Sequence, residues 1–159
     1  MKRNDMAVNG ERLEEIRWRN FERLVAEFFK PKGYVVQLGP GTKDGGIDLR
    51  IWPSESEKKG PPLLLIQCKR LQSKGRVKVE YVKAFWTDVQ SERAGGGLIA
   101  TTASVARSGK RVREARKWPM KFAEAKAVQQ WARSMWRYSG RQKRKTVGVG
   151  RYLLPPVVP

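Results

Sequence analysis

The chain has 159 residues, 40% of them hydrophobic, with six Trp, which suffices for one domain with a packed core and excludes wholesale disorder. Thirty-four Lys and Arg against fifteen Asp and Glu leave a net charge of +19, an excess that calls for a polyanionic partner, of which nucleic acid is the commonest. There is no histidine and one cysteine, Cys68, which excludes an intramolecular disulfide, a Cys-rich zinc site, histidine acid–base catalysis and the usual serine and cysteine hydrolase arrangements.

Residues 1–5 are basic but no signal-length apolar run follows, and no stretch approaches the roughly 20 apolar residues needed to cross a bilayer. A soluble, cytoplasmic protein without membrane contact is expected. In residues 11–30, Leu13, Ile16, Phe21, Leu24, Val25 and Phe28 recur near i, i+3, i+4 and predict an amphipathic helix closed by Pro31 and Gly33. Residues 34–38 are a short β-rich run. Gly39-Pro40-Gly41 and Gly45-Gly46 mark a loop. From Ile47 to Trp52 the pattern alternates, with Ile47, Leu49 and Ile51 on one face and Asp48 and Arg50 on the other.

A polar loop over 53–62 leads to Leu63-Leu64-Leu65-Ile66 and then Gln67-Cys68-Lys69, a strand buried on both faces and paired antiparallel with the one before. Val79, Val82, Phe85, Trp86 and Val89 predict a helix over 79–93, broken by Gly95-Gly96-Gly97, with a strand at 98–102. Ser104 reads as the N-cap of a basic helix reaching Lys117. A short strand at 120–122 and a helix at 125–136 complete an order αβββαβα, with a further βα, and a mixed sheet with helices on both faces. Beyond Arg137 come the basic Arg141, Lys143, Arg144 and Lys145 and a Pro-rich apolar end. The division is thus a basic lead over 1–14, a domain over 15–137 and a tail over 138–159.

Gln67 and Lys69 alternate with Ile66 and Cys68 and so share a face, and Asp48 begins the neighbouring strand opposite its aliphatics. A carboxylate, an amide oxygen and an ammonium converging at one hairpin end are equipment for phosphodiester hydrolysis with a hard divalent cation. Asp48 would bind Mg²⁺, for which Mn²⁺ would substitute, and the Gln67 side-chain oxygen and the main-chain carbonyl of Cys68 would complete the shell. Lys69 would hold or help deprotonate the attacking water and offset phosphorane charge.

These residues resemble the D–QxK form of the PD-(D/E)xK nuclease signature. Phe21-Glu22-Arg23-Leu24-Val25-Ala26, Gly33-Tyr34, Asp44-Gly45-Gly46-Ile47-Asp48-Leu49, Gln67-Cys68-Lys69-Arg70 and Gly97-Leu98-Ile99-Ala100-Thr101-Thr102 are together similar to the Mrr-like catalytic domain of restriction endonucleases, over roughly residues 15–135. The resemblance implies an α/β, restriction-endonuclease-like αβββαβ core. It also implies Asp48 as metal ligand, Gln67 in place of the usual acid, Lys69 as catalytic lysine and Glu22 as a further acid of the metal site, with Glu27 its rival. The long charged loop at 53–62 and the missing Asp-Pro of the signature's name depart from the pattern and leave substrate choice open.

Asp44 reads as a loop residue, and Cys68 as a small buried hydrophobe with an inert thiol. Trp118, Trp131 and Trp136 read as core or tail packing. Arg70, Arg107, Lys110, Arg111, Arg113 and Lys117 are candidate phosphate contacts that position a duplex without reading its bases. The function expected is a Mg²⁺-dependent endonuclease on DNA, in restriction of foreign DNA. The alternatives are a structure-selective nuclease like a Holliday-junction resolvase and a catalytically inactive binding module of the same fold. Neither flank has the size of a recognition module, so low specificity, a separate recognition partner or a homodimer is expected.

Overall fold

A computed structural model of the chain describes residues 7–8, 11–12, 15–40 and 46–142, with side chains over 15–40 and 46–135. Leu13, Asp44, Gly45, the side chains of Trp136 and Arg141, and the basic cluster Lys143, Arg144 and Lys145 lie outside that description. β1 (Ala7–Val8) and β2 (Glu11–Arg12) pair antiparallel, so the first helix does not begin at residue 11. It begins as α1 at Trp18 and runs to Phe29. Arg17 is its extended N-cap, without a side-chain cap bond. Ile16 and Phe21 bracket this entry and are buried in the same cluster, which is the hydrophobic staple that fixes the angle of the incoming chain. Past α1 a short turn over Lys30–Lys32 ends at Gly33, whose φ of 87° lies in the left-handed region that favours glycine.

Then follow β3 (Val35–Leu38), β4 (Leu49–Trp52), β5 (Leu64–Lys69), β6 (Arg76–Val77), α2 (Val79–Ser91), β7 (Gly97–Thr101), β8 (Ser104–Val105), α3 (Arg107–Ala115), β9 (Met120–Ala123) and α4 (Ala125–Gln142). The main sheet has the order β3-β4-β5-β7-β9. β3, β4 and β5 are antiparallel neighbours, and β5, β7 and β9 are parallel. The mixed sheet with helices on both faces is as expected from sequence. On one face Leu49, Ile51, Ile66, Leu98, Ala100 and Ala123 pack against α1 and α4. Phe28 stacks on Trp131 there with centroids 4.3 Å apart, an aromatic contact worth about 0.5–1.5 kcal/mol beyond area burial. On the other face Leu65, Ile99 and Phe122 pack with Val82, Phe85 and Val89 of α2.

Three local expectations are corrected. Ile47 does not continue the Leu49–Ile51 face: the regular strand begins only at Leu49, and Ile47 packs on the α2 side. Ser104 is not an N-cap. It enters β8, paired in parallel with Arg76 of β6, its hydroxyl donates to the Gly75 carbonyl at 3.4 Å, and Ala106 takes the N-cap position of α3. The last helix also runs on to Gln142. Gly97 contributes by its lack of a side chain, since a Cβ there would lie 2.8 Å from both Phe85 and Val89. Gly97→Ala is therefore expected to destabilise the domain by about 1–3 kcal/mol, read from the urea midpoint; an unchanged midpoint would show that α2 does not seat on β7 this closely.

Candidate functional site

Asp48 stands where β3, β4 and β5 meet, and the backbone holds it at both ends. Its N–H donates to the Ile66 carbonyl at 2.9 Å and its carbonyl accepts from the Gly39 N–H at 2.7 Å. The side chain is directed as well: Asp48 Oδ2 accepts the main-chain N–H of Cys68 at 2.6 Å. A charge-assisted bond this short fixes the carboxylate against the exit of β5.

Glu22 comes to it from α1. It is 3% exposed, and its carboxyl lies close enough to that of Asp48 for each to shift the other. Arg19, one turn earlier, donates to Glu22 Oε2 at 2.7 Å and to the Gly39 carbonyl at 3.0 Å. Glu27, the rival acid, is exposed and paired with Lys30 at 2.9 Å, so the helix brings Glu22 and not Glu27 to Asp48. Burial raises the Glu22 pKa, which Arg19 lowers in part and the charge of Asp48 raises further. Burial likewise raises that of Asp48, against the Cys68 N–H, Glu22 and the charges of Lys69 and Arg19. Two facing carboxyls taken out of water favour retaining a proton between them. The Cys68 thiol is half-buried and not the fully buried hydrophobe expected, and it is held well above its ordinary range by burial and by the same two acids, so it stays neutral.

Gln67 and Lys69 face the α2 side, as the alternation predicts. Gln67 is buried, and its Oε1 has no hydrogen-bond partner. Its amide nitrogen is directed toward Gly46 and Asp88: a Cβ on Gly46 would lie 3.2 Å from Gln67 Nε2 and 2.5 Å from Asp88 Oδ2. Lys69 is half-buried, with its Nζ 4.5 Å above the Tyr81 ring. Its carbonyl accepts from Thr101 Oγ1 at 2.7 Å. Asp48 is thus the junction: Glu22 reaches it across one face of the sheet, and the Lys69 charge acts on it from the other.

The residues missed in the sequence are Arg19, Tyr81 and Asp88. Arg19 and Glu22 stand three apart on a helix, so their pairing was readable. Asp88 and Tyr81 reach the site only because α2 packs across β5 and β7, and no local pattern announces that. Asp88 is raised by burial and by Glu92, and Glu92 is ion-paired with Arg50 of β4.

The donor chemistry suits a hard cation: carboxylate, amide and carbonyl oxygens, with no imidazole and a neutral thiol. The orphaned Gln67 Oε1 is the specific structural sign, because an unsatisfied buried amide oxygen costs about 1–3 kcal/mol and a cation would satisfy it. Among the described residues no three His, Cys, Asp or Glu side chains cluster to hold a metal, so a cation here depends on neutral oxygens beside the two acids. Of the basic candidates, Lys110 is tied to Glu124 at 2.6 Å, and Arg113 lies 4.8 Å over the Phe122 ring. Arg70, Arg107, Arg111 and Lys117 are exposed. Among the described residues no helix is long and apolar enough to cross a membrane.

A restriction endonuclease family of the Mrr catalytic type matches residues 13–132. The uncharacterised protein y4cE of Sinorhizobium fredii is 30% identical over 97 residues, 61% of this chain and 24% of that protein. Among solved structures, the MspJI restriction endonuclease in complex with a 27-mer oligonucleotide has a similar fold, with a TM-score of 0.56 and 23% identity over 75% of this chain and 28% of that one. The chain therefore spans about a quarter of each of these two proteins.

A carboxyl whose folded pKa is raised contributes stability that is full below its unfolded pKa and is lost as pH rises through the folded value. Glu22→Gln removes that loss. In EDTA, the melting temperature of Glu22→Gln relative to wild type is expected to climb as pH is raised from the ordinary carboxylate range to neutrality. A difference that stays flat across this range would contradict the buried carboxyl pair.

Proposed function

The chain belongs to the Mrr-type restriction endonuclease family, and from that footing we propose that it is a magnesium-dependent endonuclease that hydrolyses phosphodiester bonds of DNA, in restriction of foreign DNA. The observation that carries this reading is the Asp48 carboxylate, pinned by the Cys68 N–H at 2.6 Å beside buried Glu22, with an unsatisfied Gln67 Oε1 on the same strand as Lys69.

In this reading Asp48, the Gln67 side-chain oxygen, the Cys68 main-chain carbonyl and Glu22 hold Mg²⁺, with Mn²⁺ able to replace it. When bound, the cation polarises the phosphate and acidifies water. The chain's own part is placement and charge. Asp48 has no freedom to swing, because its main chain and its carboxylate are all bonded. Arg19 fixes the Glu22 carboxylate and ties it to the Gly39 backbone. Lys69 presents its ammonium to the attacking water and to the negative charge that gathers on the phosphoryl oxygens, a contribution that grows where water is excluded. The Tyr81 ring beneath Lys69 Nζ limits the directions in which that long side chain points.

The test is cleavage of supercoiled plasmid with Mg²⁺ and with EDTA by wild type, Asp48→Ala and Lys69→Ala. Nicking or linearisation by wild type is expected only with Mg²⁺, with each variant slower by about 10²–10³-fold or more while still binding DNA. Wild-type activity that survives EDTA, or either variant cutting at the wild-type rate, would sink the reading. Preference for four-way junctions over linear duplex would reassign the protein to the structure-selective nucleases, and binding without cleavage of any substrate to the non-catalytic modules.

A further inference from the structure

The segment joining β5 to α2 leaves the catalytic strand directly after Lys69. From Arg70 to Lys78 it carries Arg70, Lys74, Arg76 and Lys78 and no acid. Such a run usually belongs to a loose loop, but here the backbone is fastened. Leu71 uses both its N–H and its carbonyl on Thr102 Oγ1, at 2.8 and 2.7 Å, and Thr102 is buried. Arg76 and Val77 form the parallel ladder with Ser104 and Val105, and Ala106 N–H extends it to the Val77 carbonyl at 2.9 Å. Val77 and Val105 are both buried in the α2-side core. Flanking Val77, Arg76 and Lys78 are exposed, as are Lys74 in the preceding turn and Arg107 at the first position of α3. Two residues flanking one buried strand position stand about 6.6 Å apart on the outward face, close to the separation of successive phosphates on one nucleic-acid strand.

Topology sets this ribbon at the working end of the sheet. β5 and β7 are parallel, with Lys69 opposite Thr101, so the β6–β8 ladder and the start of α3 lie at the end where Lys69 emerges. α3 then runs back to the start of β9, which pairs with Gly97 at the opposite end. Lys117 belongs to that far end; of the cations between, Lys110 and Arg113 are engaged inward, Arg116 lies over the Trp118 ring and Arg111 is exposed.

We infer that the β6–β8 ribbon, through Lys74, Arg76 and Lys78 with Arg107 beside them, is the seat for the DNA backbone, holding successive phosphates so that the scissile one meets Lys69. This inference rests on the nuclease reading and names the surface that delivers its substrate. Contacts of this kind are electrostatic and blind to base identity, so the ribbon positions DNA without selecting sequence.

The experiment measures binding of a fluorescent 30-base-pair duplex by anisotropy, in EDTA, across a salt series. It compares wild type, the triple variant K74A/R76A/K78A, and a control triple, K58A/K59A/K121A. The control removes equal charge from exposed positions at the other end of the sheet. Each lost phosphate contact lowers the slope of log K against log salt by about 0.9. The ribbon triple should therefore lose roughly 2.7 from that slope, while the control keeps the wild-type value and both melt like wild type. Equal slope losses in the two triples would mean that net charge alone governs binding and would overturn the inference, as would a ribbon triple with the wild-type slope. Plasmid cleavage separates the two readings: if wild type binds through the ribbon but cuts nothing, the nuclease reading fails and the ribbon stands.

Discussion

The hydrogen bond from the Cys68 main chain to the Asp48 carboxylate joins the entrance of one strand to the exit of its neighbour, and the geometry of the site is measured from it. Gln67 and Lys69 are the covalent neighbours of the donor, so a single contact sets where a carboxylate, an amide and an ammonium stand relative to one another. The Asp48 main chain is occupied by Ile66 and Gly39, which removes the freedom that would let the bond break by a backbone shift. Gly39 in turn accepts from Arg19, so α1 and its Glu22 are referenced to the same point. Placement on strands and a docked helix, instead of on loop tips, is what makes such an arrangement repeatable from molecule to molecule.

This arrangement works against stability. In a chain of +19, the buried carboxyl of Glu22 faces the half-buried one of Asp48, and a third, that of Asp88, has its pKa raised by burial nearby. The amide oxygen of Gln67 is buried without a partner. Each violates a rule that the rest of the domain obeys, where Phe21, Val25, Leu65, Val82, Phe85 and Ile99 are sealed in two apolar layers. Local rule-breaking concentrated at one strand end, within an otherwise consistent core, is the usual signature of a site retained for chemistry. Arg19 offsets part of the cost by supplying a cation to Glu22.

The sheet also organises the charge that faces outward. Its parallel half directs the ends of β5 and β7 to the same edge, and open sheets of this kind place their ligands beyond the carboxyl ends of the strands. The segments that leave those two ends pair with each other as β6 and β8, which converts two connections into one rigid ribbon.

Much of this was legible in the residues themselves. Alternation through Gln67 and Lys69, the apolar stripe of α1 and the continuous run of β5 are local patterns, because side-chain direction in strands and helices follows from backbone geometry alone. They sufficed for the order of the five main-sheet strands and four helices, the mixed sheet, the two flanking layers and a shared face for Gln67 and Lys69, but not for the short strands β1, β2, β6 and β8. What the pattern could not carry was set by contacts between segments distant in the chain. Ser104 looked like a helix cap until Arg76 claimed its backbone, since a ladder partner outweighs a local propensity. Ile47 changed sides because its register was set by where pairing with β5 begins. The choice of Glu22 over Glu27, the placing of Asp88 and Tyr81 beside the strand end, and the inward turn of Lys110 and Arg113 all depend on how helices dock on the sheet. The sequence by itself determined which groups were available and which way each pointed within its own element; only tertiary packing decided which of them meet, because meeting is a property of two elements and their relative placement.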